Sequence, residues 1–170
     1  TKSYANALKA SLREAPDVIL VGEIRARETM EAALELSNTG HLALSTLHAN
    51  NAGQAIERVI NMFPQSMHKQ LLLDLSLNVR GIISQRLVKS TDGKRCAALE
   101  ILVMTPHIQD LILKGDIEEI KVAMEESGKE GMQTFDTALY NLHKEGRIEL
   151  EEALNNASSR TNLEAKINFG

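Results

Sequence analysis

The 170-residue chain carries 19 Lys and Arg against 23 Asp and Glu, a formal net charge of −4, and its 43% hydrophobic and 25% charged residues fit one globular domain or two small ones rather than a disordered chain. No apolar run approaches the roughly 20 residues of a membrane span, and Thr1-Lys2-Ser3-Tyr4 opens no signal-type apolar segment, so a soluble cytosolic protein is expected. A single cysteine, Cys96, excludes an internal disulfide or a Cys-Cys metal pair, and no Trp with two Tyr and three Phe leaves little to stack on bases, so nucleic acid is not an expected partner.

In chain order, Ala7, Leu8 and Leu12 share one stripe of a helix over 3–14, which stops at Ala15-Pro16 because proline disfavours helical geometry in the residue before it. Asp17 introduces Val18-Ile19-Leu20-Val21-Gly22, a continuous apolar run that predicts a strand buried on both faces of a parallel sheet. Met30, Ala33 and Leu34 predict a helix over 27–38, and Gly40 supplies a left-handed cap. A second buried run over 41–47 completes strand, helix, strand, an order that closes only through parallel pairing. Helices follow over 53–62, on Ile56, Val59 and Ile60, and over 67–83, on Leu71, Leu75, Val79 and Ile82, both expected against the sheet. Runs over 85–89 and 95–104 flank Thr91-Asp92-Gly93-Lys94, a hairpin signal. Beyond Pro106 the spacing is helical only: Ile108, Leu111 and Ile112; Ile117, Ile120 and Met124; Phe135, Leu139 and Leu142; then 148–157 and 163–167. A boundary is therefore expected near Pro106.

The first strand ends on a carboxylate, Glu23, at the sheet edge where ligands of open α/β folds bind. Beside a nucleotide, such a group holds a metal's water shell or orients the attacking water. The alternative is that Glu23 and Arg25 merely open the next helix, where acids suit the macrodipole. In the next strand His41 and His48 stand an odd seven residues apart, so an extended chain turns them to opposite faces roughly 23 Å apart, and they share no metal. Only His48 falls on the Glu23 edge. It can donate to a γ-phosphate oxygen with Thr46, Asn50 and Asn51 as polar neighbours, or it can simply satisfy a loop carbonyl. Arg13, Arg25, Arg27, Arg58 and Arg80 are candidates for an anionic site; the alternative for any of them is a surface pair with an acid such as Glu28.

The blocks Leu12-Arg13-Glu14-Ala15-Pro16-Asp17-Val18-Ile19-Leu20-Val21-Gly22-Glu23-Ile24-Arg25, Thr39-Gly40-His41 and Ser45-Thr46-Leu47-His48-Ala49 resemble the Walker B and His-box motifs of secretion-type ATPases. Arg58-Val59-Ile60-Asn61-Met62-Phe63-Pro64, Ile83-Ser84-Gln85-Arg86-Leu87 and Gly131-Met132-Gln133-Thr134-Phe135-Asp136 extend the resemblance, in the same order, over essentially the whole chain. It is most similar to the type IV pilus retraction motors of the PilT/PilU group. Assembly and type II secretion motors usually insert a zinc-binding tetracysteine segment where this chain has a short Asp92-Gly93 turn and only Cys96. His107-Ile108-Gln109-Asp110-Leu111-Ile112-Leu113-Lys114 departs from the Ala-Ile-Arg-Asn-Leu-Ile-Arg-Glu signature of PilT proteins, which favours the accessory, PilU-type branch.

The resemblance implies an α/β fold: part of a RecA-like ATPase core with a largely parallel sheet over 1–105, carrying Walker B and His box without Walker A, then an all-helical C-terminal domain over 106–170. It implies ATP and Mg²⁺ as cofactors of the full-length motor, none bound to this part alone. Catalytic roles fall to Glu23 and His48, nucleotide contacts to Glu23, Thr46 and His48, and interface or phosphate contacts to Arg13, Arg25, Arg27 and Arg58. No residue is implied as a direct metal ligand; Glu23 would reach Mg²⁺ through water. A homohexamer is implied, with a PilT-type retraction ATPase and the pilus inner-membrane platform protein as partners at the cytoplasmic face of the pilus base. Gly93-Lys94-Arg95 and Gly128-Lys129-Glu130 do not fit a Gly-x-x-x-x-Gly-Lys-Ser/Thr loop, so the P-loop, the aspartate-box glutamate and a PAS-like domain are expected before Thr1. A sheet without its first strands should expose an apolar edge. Two other readings stay open: a non-catalytic oligomerisation module of a pilus motor, and a type II secretion or pilus assembly ATPase.

Overall fold

The computed structural model describes residues 7, 10, 13–127 and 131–169. The helix expected over 3–14 lies, for most of its length, outside the described residues. The chain divides into two compact units: 1–49 with 54–79 and 106–117, and 50–53 with 80–105 and 118–170.

In the first unit β1 (Val18–Glu23), α1 (Arg27–Asn38) and β2 (Leu42–Thr46) form the expected crossover, with β1 parallel to β2. Leu20 pairs with Leu44 but Glu23 with Thr46, so β1 holds one residue more than β2 over that step. Gly22, at φ 33°, makes this bulge possible, because the left-handed region is open to glycine at no steric cost. The helix α1 buries Met30, Ala33, Leu34 and Leu36, the last completely. It stops in a Schellman turn: the His41 amide donates to the Leu36 carbonyl at 3.2 Å and the Gly40 amide to the Ser37 carbonyl at 3.1 Å, with Gly40 at φ 94°. Thr39 Oγ1 adds bonds to the Glu35 and Leu36 carbonyls at 3.1 and 2.9 Å.

Three sequence expectations need correction here. The strand run is not buried on both faces: Val18, Leu20, Leu42 and Leu44 are exposed, because among the described residues this sheet has only two strands. The anticipated apolar exposure therefore covers a face, not just an edge. The sheet content is also not largely parallel, since the second two-stranded sheet is antiparallel. Third, the helix expected over 67–83 is only His68–Asn78 (α3), preceded by a 3₁₀ turn, Gln65–Met67, and by α2 (Ala52–Asn61). Val79 leaves helical geometry at ψ 131°, and Gly81 to Lys89 is extended. The pairing of nine residues across a hairpin outweighs the helical spacing of Val79 and Ile82, and the β-branched pair Ile82-Ile83 suits a strand. With Leu71 and Leu75 buried, α3 packs chiefly on α1 and on α4 (Pro106–Lys114) rather than on the sheet.

The second unit is built on β3 (Gly81–Lys89) and β4 (Arg95–Val103), in register from Gly81 opposite Val103 to Lys89 opposite Arg95 around a turn with Gly93 at φ 80°. Ser84, Val88, Ala98, Glu100 and Leu102 are its buried face. Val88 and Ala98 share a core with Phe135, Leu139, Ile148, Leu154 and Leu163, contributed by or lying beside α6 (Phe135–Lys144), α7 (Leu150–Asn156) and α8 (Arg160–Phe169). The short α5 (Ile120–Glu126) continues a 3₁₀ turn, Ile117–Glu119. A two-bond bridge between Ile101 and Gln133, at 2.8 and 3.0 Å, fixes the segment ahead of α6 to the edge of β4. Secondary structure thus changes type at Pro106 as the spacing predicts, but packing divides the chain otherwise: the hairpin joins the helices beyond Ile117, and α4 joins the first unit.

Candidate functional site

Parallel pairing makes β1 and β2 end on the same edge, so the residues that leave them are neighbours. Glu23 is the last residue of β1, and His48 lies two residues beyond the end of β2. Glu23 Oε1 stands 3.0 Å from His48 Nε2. The other carboxylate oxygen, Oε2, accepts from Arg25 Nε at 2.7 Å and lies 2.6 Å from Arg25 Nη2. Glu23 is partly sheltered, its side chain 23% exposed, whereas Arg25 and His48 are 78% and 81% exposed, so the cluster has its acid at the base and the guanidinium and imidazole open to solvent.

The bulge decides where Glu23 goes. One extra residue in a strand reverses the inward and outward alternation beyond it. It also takes carbonyls out of the ladder, and two hydroxyls of β2 bond them: Ser45 Oγ donates to the Val21 and Gly22 carbonyls at 3.0 and 3.1 Å, and Thr46 Oγ1 to the Gly22 carbonyl at 3.3 Å. The Ile24 amide then donates to the Thr46 carbonyl at 2.8 Å. Thr46 thus braces the loop that carries Glu23. Sequence reasoning carried Gly22 and Ser45 within the resembling blocks but gave neither a structural role beyond the end of the run; the signal was a glycine in the strand opposite adjacent hydroxyl residues.

The Glu23 carboxyl is held below its ordinary value, first by the hydrogen bond from Arg25, against partial desolvation, and then by the charges of Arg25, His48 and Arg58. Arg25 is pushed up by the same bond. A carboxylate so depressed is a weak proton acceptor near neutral pH. Its chemistry is that of a fixed anion: accepting hydrogen bonds from water, or from the hydration shell of a hard cation.

The remaining sequence candidates separate cleanly. Arg58 is exposed but its charge reaches Glu23. Arg27 turns to Glu31, at 2.7 Å, and lies over the Phe63 ring at 5.6 Å, away from Glu23. Arg13 is exposed, and so is Arg80, which belongs to the second unit. His41 serves the end of α1, its Nδ1 3.0 Å from Thr39 Oγ1. Among the described residues no group of three or more His, Cys, Asp or Glu is arranged to hold a metal. Glu23 and His48 fit one side of a phosphate and metal-water site; the described residues contain no glycine-rich phosphate cradle beside them.

The family model described as Type II/IV secretion system protein matches residues 1–163. The chain is 52% identical over 171 residues to the type IV pilus ATPase PilU of Pseudomonas aeruginosa, covering all of this chain and 45% of that protein. It is 40% identical over 163 residues to the type IV pilus retractation ATPase PilT of the same organism, covering 96% of this chain and 47% of PilT. A crystal structure of the pilus retraction motor PilT with bound ADP superposes with a TM-score of 0.85 at 41% identity, covering 96% of this chain and 46% of that one. The chain thus spans about half the length of the relatives it matches.

Proposed function

Because the chain belongs to the Type II/IV secretion system protein family, we propose that it is the C-terminal part of a PilU-like, ATP-hydrolysing hexameric motor that supports pilus retraction. The observation that carries this reading is the 3.0 Å approach of Glu23 and His48 at the carboxyl ends of adjacent parallel strands. Similarity to PilU and to an ADP-bound PilT supports the nucleotide.

In this reading the first unit supplies one side of a partial RecA-like site, and the phosphate cradle lies in the part of the full-length protein outside these residues. Bound Mg²⁺-ATP supplies the scissile phosphoanhydride and the charge that must be offset. Glu23 accepts hydrogen bonds from metal-bound or attacking water through Oε1, while Arg25 keeps it ionised. His48, exposed beside it, would turn Nε2 away from Glu23 Oε1 to donate toward a terminal phosphate oxygen, and would return to the carboxylate when that oxygen is lost. Arg58 adds positive charge to the same edge. The motor works in the cytoplasm at the inner-membrane pilus base, beside a PilT-type ATPase and the platform protein.

The test uses full-length protein. Glu23→Gln is expected to lower kcat for ATP about 10²-fold or more, the ordinary worth of a preorganised electrostatic group, and His48→Ala to lower it by roughly tenfold, both with circular dichroism unchanged. Undiminished turnover in both variants would reject the assignment.

A further inference from the structure

Glu100 is an acid in the middle of an apolar strand, Ala98-Leu99-Glu100-Ile101-Leu102, and it is buried, 5% exposed. A buried carboxyl group is costly unless its oxygens are satisfied. Both are: Oε1 accepts from the Ala52 amide at 2.9 Å and Oε2 from the Phe135 amide at 3.4 Å. Ala52 and Phe135 are the first residues of α2 and α6, whose amides have no acceptor within their own helices. One side chain therefore satisfies two helix starts that are distant in sequence.

Arg86 works on the same segments. It stands opposite Ala98, so it and Glu100 are diagonal neighbours on one face of the hairpin. Its Nη2 donates to the Asn50 carbonyl at 3.3 Å and its Nη1 to the Asn156 carbonyl at 2.9 Å, while its guanidinium lies 4.0 Å from the centre of the buried Phe135 ring. Asn50 and Ala52 are thus fixed to β3 and β4 by two side chains, and residues 50–53 pack as part of the second unit although they interrupt the first in sequence. His48 is two residues upstream of Asn50.

We infer that Glu100 and Arg86 are positioning residues for His48: they clamp the segment that follows it, so that the imidazole leaves β2 from a loop anchored downstream. This rests on the reading of His48 as a nucleotide-facing group. Neither residue touches that site; each acts through the backbone of Asn50 or Ala52. The loop between β2 and α2 has only the five residues 47–51, too few to absorb the release of its downstream end.

The experiment compares full-length wild type, Glu100→Gln and Arg86→Lys by amide hydrogen exchange and by steady-state ATPase kinetics, each also in a His48→Ala background. Gln keeps the size of Glu but one acceptor oxygen; Lys keeps the charge of Arg but cannot reach two carbonyls. Expected are exchange over 47–53 at least tenfold faster in both variants, kcat lowered about three- to tenfold and no further than by His48→Ala, KM for ATP within twofold of wild type, and no further fall in kcat when either is added to His48→Ala. A purely structural role would lower the thermal midpoint and multiply with His48→Ala. Unchanged exchange over 47–53 in both folded variants, or full multiplicativity, would overturn the inference; if Glu100→Gln does not fold, Arg86→Lys decides. A silent His48→Ala overturns the proposed role of His48 and with it the kinetic arm, while the exchange arm still decides whether the clamp exists.

Discussion

At the scale of single residues the account turns on how Glu23 is held. Arg25 is the largest cause of its lowered pKa, ahead of the charges of His48 and Arg58. Removing Arg25 therefore raises the pKa of Glu23 toward its ordinary value of 4.5, so the ionised form is lost at higher pH on acidification. The pH profile of full-length Arg25→Ala should show its acid limb displaced upward, with the alkaline limb unmoved; a coincident acid limb would mean that Glu23 ionisation does not govern activity. The linked stability has the same sign: a carboxylate depressed in the folded state stabilises above its unfolded pKa and ceases to do so as pH falls through the folded value. Glu23 was legible because a five-residue apolar run ended on it, and His48 because odd spacing separated it from His41. The bulge was not, since a glycine after an apolar run reads equally as a turn, and only the register against β2 shows the extra residue. Glu100 was passed over in the sequence, where the run over 95–104 was read only as a strand of the hairpin: its partners lie 48 and 35 residues away, and no local pattern connects them.

Elements follow sequence where local and tertiary preferences agree. The spacing of α1, its Gly40 stop and the Asp92-Gly93 turn all appear where expected, because each is set by bonds within a few residues. The start of α1 is less well made: its N-cap is Ala26, in extended geometry and without a side-chain bond. Ala26→Ser should add about 1 kcal/mol by capping a free amide, seen as a higher thermal midpoint. In the last turn of the same helix, Leu36→Ala should cost about 2–5 kcal/mol, because the fully buried side chain leaves a cavity. The end of α3 was misread because Val79 and Ile82 continue the helical spacing of Leu71 and Leu75, and only pairing with β4 selects the strand. Gly81 marks that switch: a Cβ there would stand 2.9 Å from the Leu102 carbonyl oxygen. Gly81→Ala is expected to destabilise by about 1–3 kcal/mol through backbone displacement, measured by denaturant unfolding; an unchanged midpoint would show that the strand yields freely there.

For the whole molecule, sequence spacing located the change from mixed to helical structure but not the way the units pack, because packing depends on which faces are apolar rather than on element type. The β3–β4 hairpin buries Ser84, Val88, Ala98, Glu100 and Leu102 and so takes the C-terminal helices as its partners. The β1–β2 sheet instead leaves Val18, Leu20, Leu42 and Leu44 exposed, up to 75% at Leu20. Adjacent exposed aliphatic residues on a short sheet favour association. The 170-residue chain alone should therefore sediment as concentration-dependent oligomers, and Leu20→Lys with Leu44→Lys should shift it toward monomer. Concentration-independent monomers of the unaltered chain would contradict this.

The account depends most on Glu23 and His48 acting as one site. A double-mutant cycle of ATPase activity in the full-length motor, with Glu23→Gln, His48→Ala and the pair, tests it most directly. The prediction is strong non-additivity, the double variant losing little more kcat than the weaker single variant; losses that multiply, or full activity in either single variant, would contradict it.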